Sequence, residues 1–245
     1  MLESSAKRIL ATLGSDAQVL DVGGWASPFP RADWVIDLLP YASRGLYGYD
    51  VESVEERFDA STWVQRDICR REPWPFVEDQ FDLVVCAHTL EDVRDPIWVC
   101  EELQRVGRAG YIEVPSRLEE QSREVEGPWV GWSHHRWLCD VLEDHIRFVH
   151  KPHFLGAAPE FHYSAAFWAR LGAEERVEQL WWTQGFRASE DIFIDGEDLR
   201  SYLTAPVMEQ DPPGGRRGHL ARATLARLRG LLRATLRARR RRHRA

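Results

Sequence analysis

The sequence predicts an α/β protein whose mostly parallel sheet is flanked by helices, and three observations carry that expectation. Short β-branched runs alternate with helical patterns over roughly the first 116 residues, the rhythm of strand–helix–strand units. The run Phe81, Asp82, Leu83, Val84, Val85, Cys86, Ala87 is almost continuously apolar, as a parallel strand covered on both faces requires. With 44% hydrophobic residues among 245, the chain has enough apolar surface for a large core, which sets aside a disordered or collagen-like polymer.

Residues 4–13 read as a helix with Ile9, Leu10 and Leu13 on one side and Gly14 as its stop. Residues 18–22 form a short buried strand broken by Gly23 and Gly24. Residues 34–37 form a second strand and 62–67 a third, after a weakly helical stretch at 51–58; 81–87 is the fourth. Asp95 before Pro96 starts a helix, because the carboxylate accepts a free amide and proline lacks one where none is needed. Ile97, Val99, Cys100, Leu103 and Val106 then recur at helical spacing up to Gly107.

Residues 110–115 are a fifth strand. Beyond it, 116–137 is polar and aromatic without a period, and is expected to be a long loop or lid. Residues 146–150 read as a strand, 161–171 as a helix, and 179–183 with 192–194 as a hairpin. The chain thus divides into one domain over 1–210, a Pro/Gly linker over 211–218, and an Arg-rich tail over 219–245 that is amphipathic or disordered.

The formal net charge of −7 conceals an asymmetry: 12 arginines and no acid lie from Arg216 onward, so residues 1–215 carry −19. An acidic body repels phosphates, which makes nucleic acid a poor partner for it. In the tail, Leu225, Leu228, Leu232 and Leu236 form a stripe among arginines, a composition suited to an anionic membrane surface. RNA, the protein's own acidic surface, or solvent alone are the other readings of that tail. No apolar run reaches the ~18 residues of a membrane span, and the first residues lack a signal layout. A cytoplasmic location is expected, peripheral to the inner membrane face if the tail binds lipid.

Four cysteines lie far apart without a CxxC pair, against both a disulfide framework and a zinc knuckle. His145, His150, His153 and His162 match no common zinc spacing, so no metal is expected.

Three acids fall at successive strand ends: Asp21, Asp37 and Asp67. Parallel sheets bind ligands beyond the carboxyl ends of their strands, and a carboxylate closing the second strand suits a ribose diol. Gly23 and Gly24 allow the backbone to approach a ligand closely. Singly, each of these acids also serves as a turn cap. The dinucleotide fingerprint G-x-G-x-x-G is absent, and Pro28 and Pro30 leave no room for a helix whose N-terminus would hold a pyrophosphate. A nicotinamide oxidoreductase is therefore disfavoured, and a nucleoside without phosphate fits better.

Val19-Leu20-Asp21-Val22-Gly23-Gly24, then Asp37, Arg66-Asp67 with Trp74-Pro75-Phe76, and Phe81 to Val85 with His88-Thr89-Leu90-Glu91 resemble a class I S-adenosylmethionine-dependent methyltransferase over about residues 15–116. Ser27-Pro28-Phe29-Pro30-Arg31-Ala32-Asp33, the strand from Gly110 to Ser116, and His135-Arg136-Trp137 resemble a bacterial subgroup of the methyltransferase type 11 kind, whose acceptors are mostly unassigned. The resemblance implies a Rossmann-like fold and S-adenosylmethionine as cofactor. It further implies that Asp21, Gly23 and Gly24 hold the methionine moiety, Asp37 the ribose, and Asp67 with Ile68 the adenine. Ala87 and His88 would line the cleft near the methyl group. Two departures stand out: Trp25-Ala26 replaces the third glycine, and Asp92 replaces the subgroup's histidine after the Leu-Glu pair.

Methyl transfer from a sulfonium needs chiefly in-line alignment, and a hydroxyl acceptor also needs a base. His88, His134 and His135 are the candidates, with Glu113 or Glu91 behind them; His88 and His135 are the catalytic expectation. Trp129, Trp132, Trp137, Trp168, Trp181 and Trp182 would stack on a planar acceptor or pack the core. Asp211-Pro212-Pro213-Gly214 is similar to the Asp-Pro-Pro-Tyr motif of amino-methyltransferases but lies in the linker, so amine methylation is set aside. The expected activity is O-methylation of a small-molecule or glycan/lipid-linked acceptor. A non-catalytic binding or scaffold protein is the main alternative, and RNA methylation guided by the basic tail the third.

Overall fold

The computed structural model describes residues 1–45, 48, 50 and 54–212. Helix α1 (Glu3–Thr12) precedes β1 (Val19–Val22), β2 (Trp34–Asp37), β3 (Trp63–Gln65) and β4 (Leu83–Ala87), and α2 (Pro96–Val106) leads into β5 (Ala109–Pro115). These strands pair in parallel in the order β3-β2-β1-β4-β5. Their aliphatic runs are buried because both faces are covered. On one face Ile9 of α1 packs with Val19, Val35, Val85 and Tyr111. On the other, Val99, Leu103 and Val106 of α2 join Trp74, Phe76 and Phe81.

Helix α2 forms as its sequence prescribes. The Asp95 side chain accepts from the Trp98 amide, Pro96 takes the first helical position, and Gly107 closes the helix. Residues 23–33 connect β1 to β2 without a helix, the outcome that Pro28 and Pro30 dictate. Strand order reverses between β1 and β4, which opens a crevice at their carboxyl ends.

The second half holds α3 (Arg117–Glu120), β6 (Trp137–Leu142), β7 (His145–His150), α4 (Ala165–Trp168), β8 (Val177–Thr183), β9 (Arg187–Glu190) and α5 (Gly196–Gln210). Strand β8 extends the main sheet antiparallel to β5, while β6, β7 and β9 form a separate sheet. Period-two alternation sets that sheet's two faces. Trp137, Cys139, Ile146 and Phe148 join the main core, and Leu138 and Val149 meet Leu203 of α5.

Several expectations are corrected here. The loop or lid expected over 116–137 is interrupted by α3, and Glu119, Glu120, Gln121 and Ser122 are buried with their polar groups satisfied by local and long-range hydrogen bonds, while 121–136 hold no helix or named strand. The expected hairpin is absent because Gln179 to Thr183 belong to β8 and pair with β5, leaving Ile192 and Ile194 exposed. The helix expected over 161–171 shrinks to α4, since Ser164 caps a new start by accepting from the Phe167 amide. Helix α5, with Pro206 inside it, has no counterpart in the sequence reading. Strand β3 ends at Gln65, so Asp67 lies in the turn beyond it, and residues 54–58 are not helical. Residues 51–53 and the Arg-rich tail lie outside the described residues.

Candidate functional site

A cavity of about 1100 Å³ opens at the carboxyl ends of β1, β2 and β4, where the strand order reverses. Ordinary small-molecule sites occupy about 300–1,000 Å³, so this one has room for a nucleoside ligand and a second substrate.

The floor is the turn after β1. Gly23 has φ +77°, and a Cβ there would stand 2.1 Å from Thr89 Oγ1. A Cβ on Gly24 would stand 2.3 Å from Asp21 Oδ2. Both positions therefore exclude a side chain. Asp21 is buried beneath the turn and accepts from the Phe29 amide at 2.7 Å. Burial pushes its carboxyl up to about 7, against the pull of that hydrogen bond. Gly23 lines the cavity, whereas Asp21, Gly24 and Ala87 are not among its lining residues. Asp21 and Gly24 shape the turn from below.

Asp37, at the end of β2, lines the cavity with its carboxylate fixed by two amides: Trp25 N–H donates to Oδ2 at 3.0 Å and Leu39 N–H to Oδ1 at 2.8 Å. Burial raises its pKa, and the amide bonds oppose the rise. Each oxygen keeps a further acceptor site for a ligand diol. Trp25 stands in place of the third glycine, supplies the amide that holds Asp37, and contributes to the cavity wall; its indole donates to Ser43 Oγ at 3.0 Å. From sequence alone Trp25 is a departure from the glycine motif with no part to play.

Asp67 and buried Ile68 line the same cavity. Arg94 donates to Asp67 Oδ2 at 2.7 Å and holds its carboxyl below the usual range, while the Cys69 amide donates to Oδ1 at 3.0 Å.

His88 follows β4 in the left-handed region at φ +53°. Its Nε2 lies 2.9 Å from Glu113 Oε1 and its Nδ1 3.7 Å from Glu91 Oε1. Burial works against a charge on the ring, yet the hydrogen bond to Glu113 and the nearby Glu91 carboxylate prevail and raise its pKa to about 9. Glu113 is also buried, but His88, the Leu2 amide and the Tyr111 hydroxyl all donate to it and hold it at about 2. At neutral pH His88 is therefore a cation paired to an anion, suited to donating a hydrogen bond rather than removing a proton. Glu91 is 1% exposed, lines the cavity, and has neither carboxylate oxygen in a hydrogen bond.

The opposite wall carries His134 and His135. The His135 ring is buried, its Nδ1 2.7 Å from Glu120 Oε2, and Glu120 also takes bonds from Lys151 and the Trp132 amide. Burial disfavours the imidazolium, but Glu120 raises the His135 pKa. His135 Nε2 faces the cavity and stands 4.0 Å from Asp92 Oδ1; His134 Nε2 stands 3.9 Å from Asp92 Oδ2. The four histidines weighed from spacing sit apart from this group: His145 meets Ser189, and His162 the Tyr163 carbonyl.

Residues 45–112 match a family model described as a methyltransferase domain. No curated protein matches the chain. Part of the chain is similar to a complex between the Haloferax volcanii Trm112 methyltransferase activator and a methyltransferase (19% identity, 45% of this chain and 51% of that one, TM-score 0.32). It is also similar to an S-adenosylmethionine-dependent methyltransferase from Mesorhizobium loti (16%, 46% and 54%, 0.34) and another from Aquifex aeolicus (19%, 50% and 69%, 0.33). The chain spans about half the length of the first two. The matched segment begins ahead of β3 and runs through β4 and α2 into β5, so this part of a Rossmann-like sheet is similar to a methyltransferase domain, while β1 and β2, which also border the cavity, lie outside the match.

Proposed function

We propose that the protein is an S-adenosylmethionine-dependent methyltransferase that methylates an oxygen of a small-molecule or glycan/lipid-linked acceptor. The observation that carries this reading is Asp37, a carboxylate pinned by two amides at the cavity wall with acceptor sites left for a ribose diol. S-adenosylmethionine would supply a methyl on a sulfonium: the S–CH3 bond would break with its electron pair on sulfur, an O–CH3 bond would form, and the hydroxyl proton would pass to a base, His135 Nε2 or solvent. Gly23 lets the backbone approach the ligand, Ile68 offers an apolar wall to the adenine, and Asp67 an acceptor beside it. His88 sits as a fixed cation at the end of β4. His135, oriented by Glu120, presents Nε2 toward the space left for the acceptor.

The carboxylates of Asp37, Asp67, Glu91, Asp92 and Glu126 line this space and weigh against a phosphodiester, hence against RNA. The Arg-rich tail, outside the described residues, would bring the cytoplasmic protein to an anionic membrane where lipid-linked acceptors reside. Calorimetric titration with S-adenosylmethionine and S-adenosylhomocysteine tests the reading. Saturable heat with both supports it. Heat with neither sinks it in favour of a scaffold.

A further inference from the structure

We propose that Asp92, His134 and His135 form a binding site for one divalent transition-metal ion, zinc by its donor set, on the acceptor side of the cavity. One ligand atom from each residue lies within 4.8 Å of the other two. The three ligands come from two loops, the turn after β4 and the segment entering β6, which the fold brings together although more than forty residues separate them.

Two further observations point to a ligand. His135 is the fixed member: its ring is 6% exposed, Glu120 holds Nδ1 at 2.7 Å, and Nε2 makes no hydrogen bond among the described residues while facing the other two ligands. A carboxylate on one ring nitrogen sets the tautomer that offers the other to a metal. Beside this group, buried Glu91 lines the same cavity with neither oxygen in a hydrogen bond, its Oε1 3.7 Å from His88 Nδ1, and Asp92 Oδ1 is a buried atom that likewise accepts no hydrogen bond. Buried carboxylate oxygens beside a cavity without a hydrogen-bond donor call for a cation, and His88 approaches Glu91 only to 3.7 Å, too far for a hydrogen bond. Lys151 does not answer that call, because its ammonium is committed to Glu120 and the Trp132 carbonyl.

Tetrahedral ligands at about 2.0–2.1 Å from zinc lie about 3.3 Å from one another. The contacts of 3.9 and 4.0 Å seen here therefore need a small closure. The side chains of His134 and Asp92, 56% and 37% exposed, have the freedom to make it. Two imidazoles and one carboxylate favour a first-row transition ion over magnesium, and three ligands leave positions open to the cavity. Asp92, His134 and His135 would hold the ion, and the chemistry it would supply is a lowered pKa for an acceptor hydroxyl, so that the proton could pass to solvent before the oxygen takes the methyl. This use of the ion rests on the methyltransferase reading; the site itself does not.

The test titrates full-length, tag-free, chelator-treated protein with zinc chloride by calorimetry and with cobalt chloride by visible absorption. One ion per chain is expected, with cobalt bands of a low-coordinate nitrogen/oxygen site. His134→Ala, whose ring is largely solvated, should fold normally and bind zinc at least ten-fold more weakly. Glu120→Gln should lose about 10- to 100-fold through its hold on His135. Absence of zinc binding, or equal affinity in wild type, His134→Ala and Asp92→Ala, overturns the site. A parallel titration with S-adenosylhomocysteine separates the two readings, since its loss would strike the methyltransferase reading and leave a zinc result standing.

Discussion

His88 and Glu113 are joined twice, by His88 N–H donating to the Glu113 carbonyl at 2.9 Å and by Nε2 lying 2.9 Å from Glu113 Oε1. The pair ties the end of β4 to β5 at the rim of the cavity. His88 is raised from 6.5 to about 9, so its contribution is full below pH 6.5 and lost as pH rises through about 9. Glu113 is lowered from 4.5 to about 2, so its contribution is full above pH 4.5 and lost as pH falls through about 2. His88→Asn keeps a residue that tolerates the left-handed backbone while removing the charge. Its destabilisation should be greatest between pH 4.5 and 6.5 and should shrink toward pH 9 in thermal melts. A cost that stays constant over that range would contradict the ion pair.

Asp37→Asn retains the shape of the side chain but replaces an oxygen acceptor with an amide donor and removes the charge. A hydrogen bond to a charged group is worth about 1.5–3 kcal/mol, so affinity for S-adenosylhomocysteine should fall about 10- to 150-fold. Calorimetry reads this directly. Unchanged affinity would take the ribose away from Asp37.

Gly24→Ala would drive a methyl to 2.3 Å from Asp21 Oδ2 and push that carboxylate off the Phe29 amide. Overpacking of this kind costs about 1–3 kcal/mol. Gly14→Ala, with nothing within 4 Å of the new methyl, is the control. Urea unfolding of the two variants should separate them, and equal midpoints would refute the close approach.

Glu102 is 3% exposed and accepts from the Trp74 amide at 2.6 Å and from Arg105 at 2.6 and 2.7 Å. It pins the loop carrying Trp74 and Phe76 onto α2. Glu102→Ala leaves the Trp74 amide without its acceptor and removes the counter-charge of Arg105, which keeps the Phe76 and Trp74 carbonyls, and should lower stability by about 1–3 kcal/mol. A loss under about 1 kcal/mol in denaturant titration would show that water replaces the carboxylate freely.

The first half of the fold was legible because its signals are local. Val35 and Ile36 end at Asp37, Asp95-Pro96 caps α2 in one step, and Pro28 forbids a helix in the glycine turn. The second half was not, because its polar residues are satisfied at long range. Glu119 takes the Trp168 indole and Glu120 takes His135 and Lys151, partners a period count does not see. At the cavity, the placement of Asp37 and His88 was readable from strand ends and that of Asp67 from the turn after β3, whereas Asp21 turned inward to the Phe29 amide. The roles of Trp25 and Arg94 depend on which strand ends become neighbours, and no spacing in the chain encodes that.

Gln121 is fully buried, and its amide donates to the Phe161 carbonyl at 2.9 Å and the Leu203 carbonyl at 3.2 Å. It therefore rivets α5 to the segment that follows β5. Cutting the chain back to the portion that matches known methyltransferases would shear those rivets and bare the flank that Trp137 and Phe148 shelter. The matched segment is not portable: a minimal unit for expression or grafting has to run to the end of α5.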